Sequence, residues 1–173
     1  MDPQDVPPDA TVVSGTARLS RYDGRFRLNP GGEARTLDEA IAIARRHDIE
    51  LDPEEYRLVV DPIVRSDYAR YFDLANLNAG SSVSWRQLTA SDGRIVIRIQ
   101  RHTLTSDEAI LAALAHEYYE TQRLREEFVR QGGKLSAALL QRLVEPSDIS
   151  LHNAAWDFAD ALLDQLRSED STP

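Results

Sequence analysis

The stretch TSDEAILAALAHEYYETQRLREEFVRQGG, residues 105–133, constrains the fold more than any other. Its apolar residues recur at helical spacing from about Asp107 to Gln131, the signature of a helix with one buried side. Thr105 and Glu108 stand three apart before it, as in a capping box. Gly132-Gly133 supplies the stop at the other end. This is the clearest helix in the chain.

Placed at about 100° per residue, Ile110, Leu114, Tyr118, Leu124 and Phe128 define its buried arc. Thr121 lies in that arc, and so does Glu117, near its middle. A carboxylate aimed at a core requires a partner, because desolvating it alone costs several kcal/mol. His116 and Glu120 lie together on one flank, one turn apart, below Ala109, Ala112 and Ala113. Small side chains there leave room for another helix or for a site. SLHNAAWDFADALLDQLR, 150–167, is the last helix. Leu151, Ala155, Phe158, Ala159, Leu162, Leu163 and Leu166 form its apolar arc, with Trp156 at the edge and His152 inside it. Asp157, Asp160 and Asp164 fall on the solvated side.

The remaining elements are read from turn and break signals. TARLSRYDGRFRLN (16–29) reads as a hairpin around Asp23-Gly24. TLDEAIAIARRHD (36–48) is a helix opened by Thr36 and Glu39. YRLVV (56–60) is a short strand, and SDYARYFDLANL (66–77) reads as a helix. Residues 83–104 read as a second hairpin, turning at Asp92-Gly93, with Ile95, Ile97 and Ile99 on one face of the return strand. LSAALLQRLV (135–144) is a helix closed by Pro146. The expectation is one α+β domain over residues 11–167: two hairpins and a short strand packed on about five helices. Residues 1–10 and 168–173 read as disordered tails.

Composition narrows the chemistry. The chain has 173 residues, 42% hydrophobic and 28% charged, enough for a real core. No cysteine is present, so disulfides and thiolate metal sites are excluded, and a metal must be held by His, Asp or Glu. The histidines are His47, His102, His116 and His152. A net charge of −9 sets the chain against nucleic acid as a partner. No apolar run reaches the length of about 18 residues that a membrane span needs. The acidic, proline-rich start lacks the pattern of a secretory signal. The chain as written reads as cytoplasmic, or as a module delivered by a larger system.

His116, Glu117 and Glu120 spell H-E-x-x-E. This resembles the zinc-peptidase signature H-E-x-x-H, with glutamate in place of the second histidine. In the glutamate-completed zinc peptidases (gluzincins), the third ligand is a glutamate from a later helix. Here a later helix offers His152, so the total of two histidines and one glutamate is kept. IVIRIQR, 95–101, precedes the helix as the cleft-bordering edge strand does in that family. The resemblance covers roughly residues 83–165. It implies a zincin-like core and a metal-dependent hydrolase acting on a protein or peptide. It makes His116, Glu120 and His152 the ligands of Zn2+ and Glu117 the base; Fe2+ or Mn2+ also suits two histidines and a carboxylate. The same segments also look like C-terminal modules of bacterial polymorphic toxins, which implies a larger delivery protein or a cognate immunity protein as partner.

Two other classes stay open. One is a non-catalytic interaction module, an adaptor or immunity-type protein, in which the trio is structural. Each residue then has a local explanation: Glu120 pairs with Arg123, Glu117 with a core hydroxyl, His152 with a neighbouring backbone. The other is a toxin nuclease using His and Glu without metal, kept open by the stripe of Arg94, Arg98 and His102, which alternate opposite the isoleucines. A hydrolase should show an open cleft at His116 and Glu117. An interaction module should show those groups sealed and bonded to one another. A nuclease should bring Arg98 and His102 into the same cleft.

Overall fold

The computed structural model describes residues 16–18, 32–64, 67–71, 82–145 and 150–170. The hairpin turn at Asp23-Gly24, the N-terminal tail and residues 72–77 lie outside them. In chain order the elements are β1 (Thr16–Arg18), α1 (Leu37–Arg46), β2 (Tyr56–Val60), β3 (Asp67–Arg70), β4 (Ser82–Ser84) and β5 (Ile95–Ile99). They continue with α2 (Asp107–Arg130), β6 (Lys134–Ser136), α3 (Ala137–Val144) and α4 (Leu151–Asp170). The α+β class holds. Four α-helices are present among the described residues.

The strands form a four-stranded sheet, in the order β1-β3-β5-β2, and a separate two-stranded sheet, β4-β6. β2 runs parallel to β5, with Tyr56 opposite Ile95 and Val60 opposite Ile99. β3 runs antiparallel to β5 and to β1. Ile95, Ile97 and Ile99 are buried while Arg98 is exposed, so the alternation along β5 points one face inward. β5 is paired on both edges and is not the free edge strand that the peptidase resemblance implied.

Two expectations are corrected here. Residues 67–70 form strand β3, not the start of a helix; pairing with β1 and β5 overrides a helical spacing that is weak over so short a segment. The second hairpin also fails, although its turn is real. Gly93 has φ 84°, and Ala90 N–H donates to the Arg94 carbonyl at 2.8 Å. The arm before the turn leaves strand geometry at Trp85, entering a 3-10 helix over Trp85–Leu88. The Gln87 side chain accepts from the Ser84 backbone N–H at 2.7 Å, and the Trp85 ring meets Phe128 of α2 at 5.5 Å. β4 therefore pairs with β6, Val83 opposite Leu135, rather than with β5.

α2 sits between the other layers. α1 packs on it, β3 and β1 lie against it, and α4 makes its most extensive contact with it. The two long helices run antiparallel: Glu108 near the start of α2 pairs with Arg167 near the end of α4 at 3.2 Å, and Tyr119 meets Phe158 at 5.0 Å. Covered from several sides, α2 is buried at every position from Ala109 to Glu117, not along one arc. Four alanines among those positions let the neighbours approach closely. Beyond Tyr118 the helix becomes amphipathic as expected.

The helix ends follow elementary capping. Gly133 N–H donates to the Phe128 carbonyl at 2.7 Å and Gly132 N–H to the Val129 carbonyl at 3.2 Å, the pattern of a Schellman stop with both glycines at positive φ. At the start, the cap is Ser106, whose hydroxyl accepts from Ala109 N–H at 3.3 Å. The Thr105–Glu108 box is not formed: the Thr105 hydroxyl instead donates to the His102 carbonyl. We expect Ser106→Ala to cost about 1 kcal/mol, read as a lower denaturation midpoint in urea. An unchanged midpoint would show that α2 is held by packing alone.

Candidate metal centre

His116 and Glu120 are one turn apart on the side of α2 that meets α4. His152 comes from the first turn of α4. That turn is fixed by Ser150, whose hydroxyl accepts from the backbone N–H groups of His152 at 3.1 Å and Asn153 at 3.4 Å. The fold brings the trio together. His116 Nε2 lies 2.9 Å from Glu120 Oε2, and His152 Nδ1 lies 3.3 Å from the same oxygen. One ligand atom from each residue falls within 4.8 Å of the others. Two donors about 2.1 Å from a tetrahedral zinc ion stand about 3.4 Å apart; both separations are shorter, so the groups touch as ion pairs here and would move slightly apart to seat a cation. Two imidazoles and a carboxylate can hold a metal ion; they suit zinc, iron and manganese alike.

The other oxygen of Glu120 is occupied. Tyr71, one residue beyond β3, donates its hydroxyl to Glu120 Oε1 at 2.8 Å. Tyr71 is itself buried, and its phenol is pushed well above its ordinary value, by burial first and then by the charges of Glu120 and Glu117. Burial also pushes the Glu120 carboxyl up, but hydrogen bonds and charge from His116 and His152 outweigh it and hold that group well below the ordinary carboxylate range.

An aromatic wall encloses the imidazoles. Trp156, one turn beyond His152 on α4, sits against the His116 ring at 4.3 Å between centroids. The two histidine rings stand edge-on at 4.7 Å. Glu117 shares the stripe of Thr121, whose hydroxyl meets Tyr56 of β2 at 2.6 Å. It thus faces the sheet side of α2, within electrostatic reach of Tyr71. The exposures decide one question: His116, Glu117 and Glu120 are each 0% exposed and His152 2%. The open cleft expected of a hydrolase is not present at these described residues.

The local explanation for Glu120 is also corrected, since Arg123 pairs with Glu126 at 3.0 Å and not with Glu120. Arg98 is on the exposed face of β5, turned away from the buried isoleucines, and His102 lies in a 3-10 helix after the strand. These two do not share a cleft with the trio. Sequence reasoning missed Tyr71 and the contact of Trp156 with His116. The alternation of Ala69 and Tyr71 toward one side of a strand was the available signal for the first. No protein-family model, curated protein or solved structure matches this chain.

Proposed function

We propose that this protein holds one divalent cation at His116, Glu120 and His152 and is a metal-dependent hydrolase whose sealed site admits substrate only when α4 parts from α2. The observation that carries the reading is the convergence of three metal-ligating atoms from two helices within 4.8 Å, with Tyr71 fixing the carboxylate. His116, Glu120 and His152 would hold the ion, which when bound would supply Lewis-acid activation of water and of a carbonyl oxygen. Glu117, adjacent in sequence, buried and within electrostatic reach of Tyr71, would be the group to accept a proton from water there. The substrate class is a compound with a hydrolysable carbonyl, an amide or ester. An extended peptide laid along β5 is disfavoured, because both edges of that strand are occupied. Zinc is the first choice of ion, and the zincin-like core is supported only by the resemblance of the H-E-x-x-E segment.

A second reading is favoured by a specific observation, the burial of all four groups. In it the trio is a closed polar core, and the chain acts as a protein-interaction module. Elemental mass spectrometry of the untagged protein separates the two. We expect about one zinc, iron or manganese per chain, lost in both His116→Ala and His152→Ala. Amide and ester hydrolysis should then follow the metal and be abolished in Glu117→Gln with the metal retained. Protein that holds no metal after dialysis against each ion would sink the hydrolase.

A further inference from the structure

We infer that Tyr71 is a positioning residue for the metal centre, one that makes Glu120 a single-oxygen ligand. The inference rests on the metal reading above and adds to it a residue outside the H-E-x-x-E segment and outside both long helices. Its basis is the division of labour at one carboxylate. Oε1 accepts from the Tyr71 hydroxyl at 2.8 Å, while Oε2 is the oxygen that faces His116 at 2.9 Å and His152 at 3.3 Å. A carboxylate free at both oxygens can turn to grip an ion with two. Tied at one, it presents the other alone, with its plane set. Partners of this kind orient ligands and tune affinity as strongly as many direct contacts do.

The placement of Tyr71 explains how the bond is held. β3 is pinned on both sides, Ala69 lying opposite Ala17 of β1 and Ile99 of β5. Tyr71 follows immediately and is 3% exposed. The sheet thus reaches across to a site otherwise built from α2 and α4. It ties the coordination of Glu120 to the position of a strand some fifty residues earlier. Phenylalanine fills the same volume and lacks only the hydroxyl, so Tyr71→Phe isolates the bond.

The test uses Zn2+ and Co2+ added to the metal-free full chain. Zinc affinity is read by competition with a chelator, and tryptophan emission, reported by Trp156 beside His116, follows loading. Tyr71→Phe should bind zinc about 10–100-fold more weakly. Its cobalt spectrum should lose intensity in the visible bands as the carboxylate turns two-oxygen and the coordination number rises. In a Glu120→Ala background, Tyr71→Phe should have no further effect on affinity, because its influence runs through that carboxylate. A merely structural role would lower the melting temperature without moving the cobalt spectrum. X-ray absorption of the zinc-loaded wild type gives a check that needs no variant: one carboxylate oxygen at bonding distance supports the inference, and two overturn it. Equal zinc affinity in wild type and Tyr71→Phe overturns it while leaving the metal reading intact. A wild type that binds neither ion removes both.

Discussion

Zinc in large excess over its dissociation constant should raise the melting temperature of the metal-free protein by about 8 to 16 °C, and His152→Ala should abolish the rise. An ion that binds only the folded chain stabilises it by about 4.1 kcal/mol at a thousand times its dissociation constant. Each kcal/mol moves the midpoint of a domain this size by about 2–4 °C. The unfolded chain has no comparable site, since His116 and His152 meet only when α4 packs on α2. Magnesium, which prefers oxygen ligands and keeps its water, should do little at the same concentration. The rise should shrink as pH falls, because the ion competes with protons for the imidazoles. Differential scanning calorimetry with and without each ion measures it. The comparison is of shifts, so a lower starting midpoint in His152→Ala does not blur the result. A shift of equal size in wild type and variant would place the ion elsewhere and remove the centre proposed above.

What could be read from the sequence tracks the range of the interactions involved. α1, α2 and α4 are long enough for helical periodicity to show, and their ends carry local signals: the Thr36–Glu39 box forms, and Gly132 and Gly133 close α2. The site was legible for the same reason. His116 and Glu120 are four apart on one helix, and His152 lies in the apolar arc of another, so packing the two arcs brings them together. The sheet was harder. β4 and β6 are three residues each and about fifty apart in sequence, and nothing local in SVS or KLS names the partner. The parallel pairing of β2 with β5 is equally non-local. Tyr71 went unnoticed because its role requires knowing that 67–70 is a strand. Burial of Glu117 and His152 was legible from the two apolar arcs, but the sealing of the flank that carries His116 was not: one helix face predicts one neighbour, and α2 has neighbours on several sides.

Removing Glu120 alone should destabilise the metal-free protein by about 3–5 kcal/mol, whereas replacing the whole trio with apolar residues should cost little or add stability. Glu120 lies against both imidazoles, and it accepts the Tyr71 hydroxyl. Glu120→Ala leaves those donors facing each other in a dry interior. In a Tyr71→Phe background, which removes the buried hydroxyl that would otherwise lose its acceptor, the triple variant His116→Leu, Glu120→Met, His152→Leu removes the charges together and fills a similar volume against Trp156. Urea denaturation of both variants, with metal stripped, measures the difference. If the triple variant is as stable as the wild type, the folded chain does not depend on the trio for its stability. Three polar side chains held in a core at no gain to stability are best explained by something they bind. If the triple variant instead falls by several kcal/mol, the polar cluster is itself a pillar of the fold, and the interaction-module reading displaces the hydrolase. The experiment thus weighs the two readings of one geometry without requiring a substrate for either.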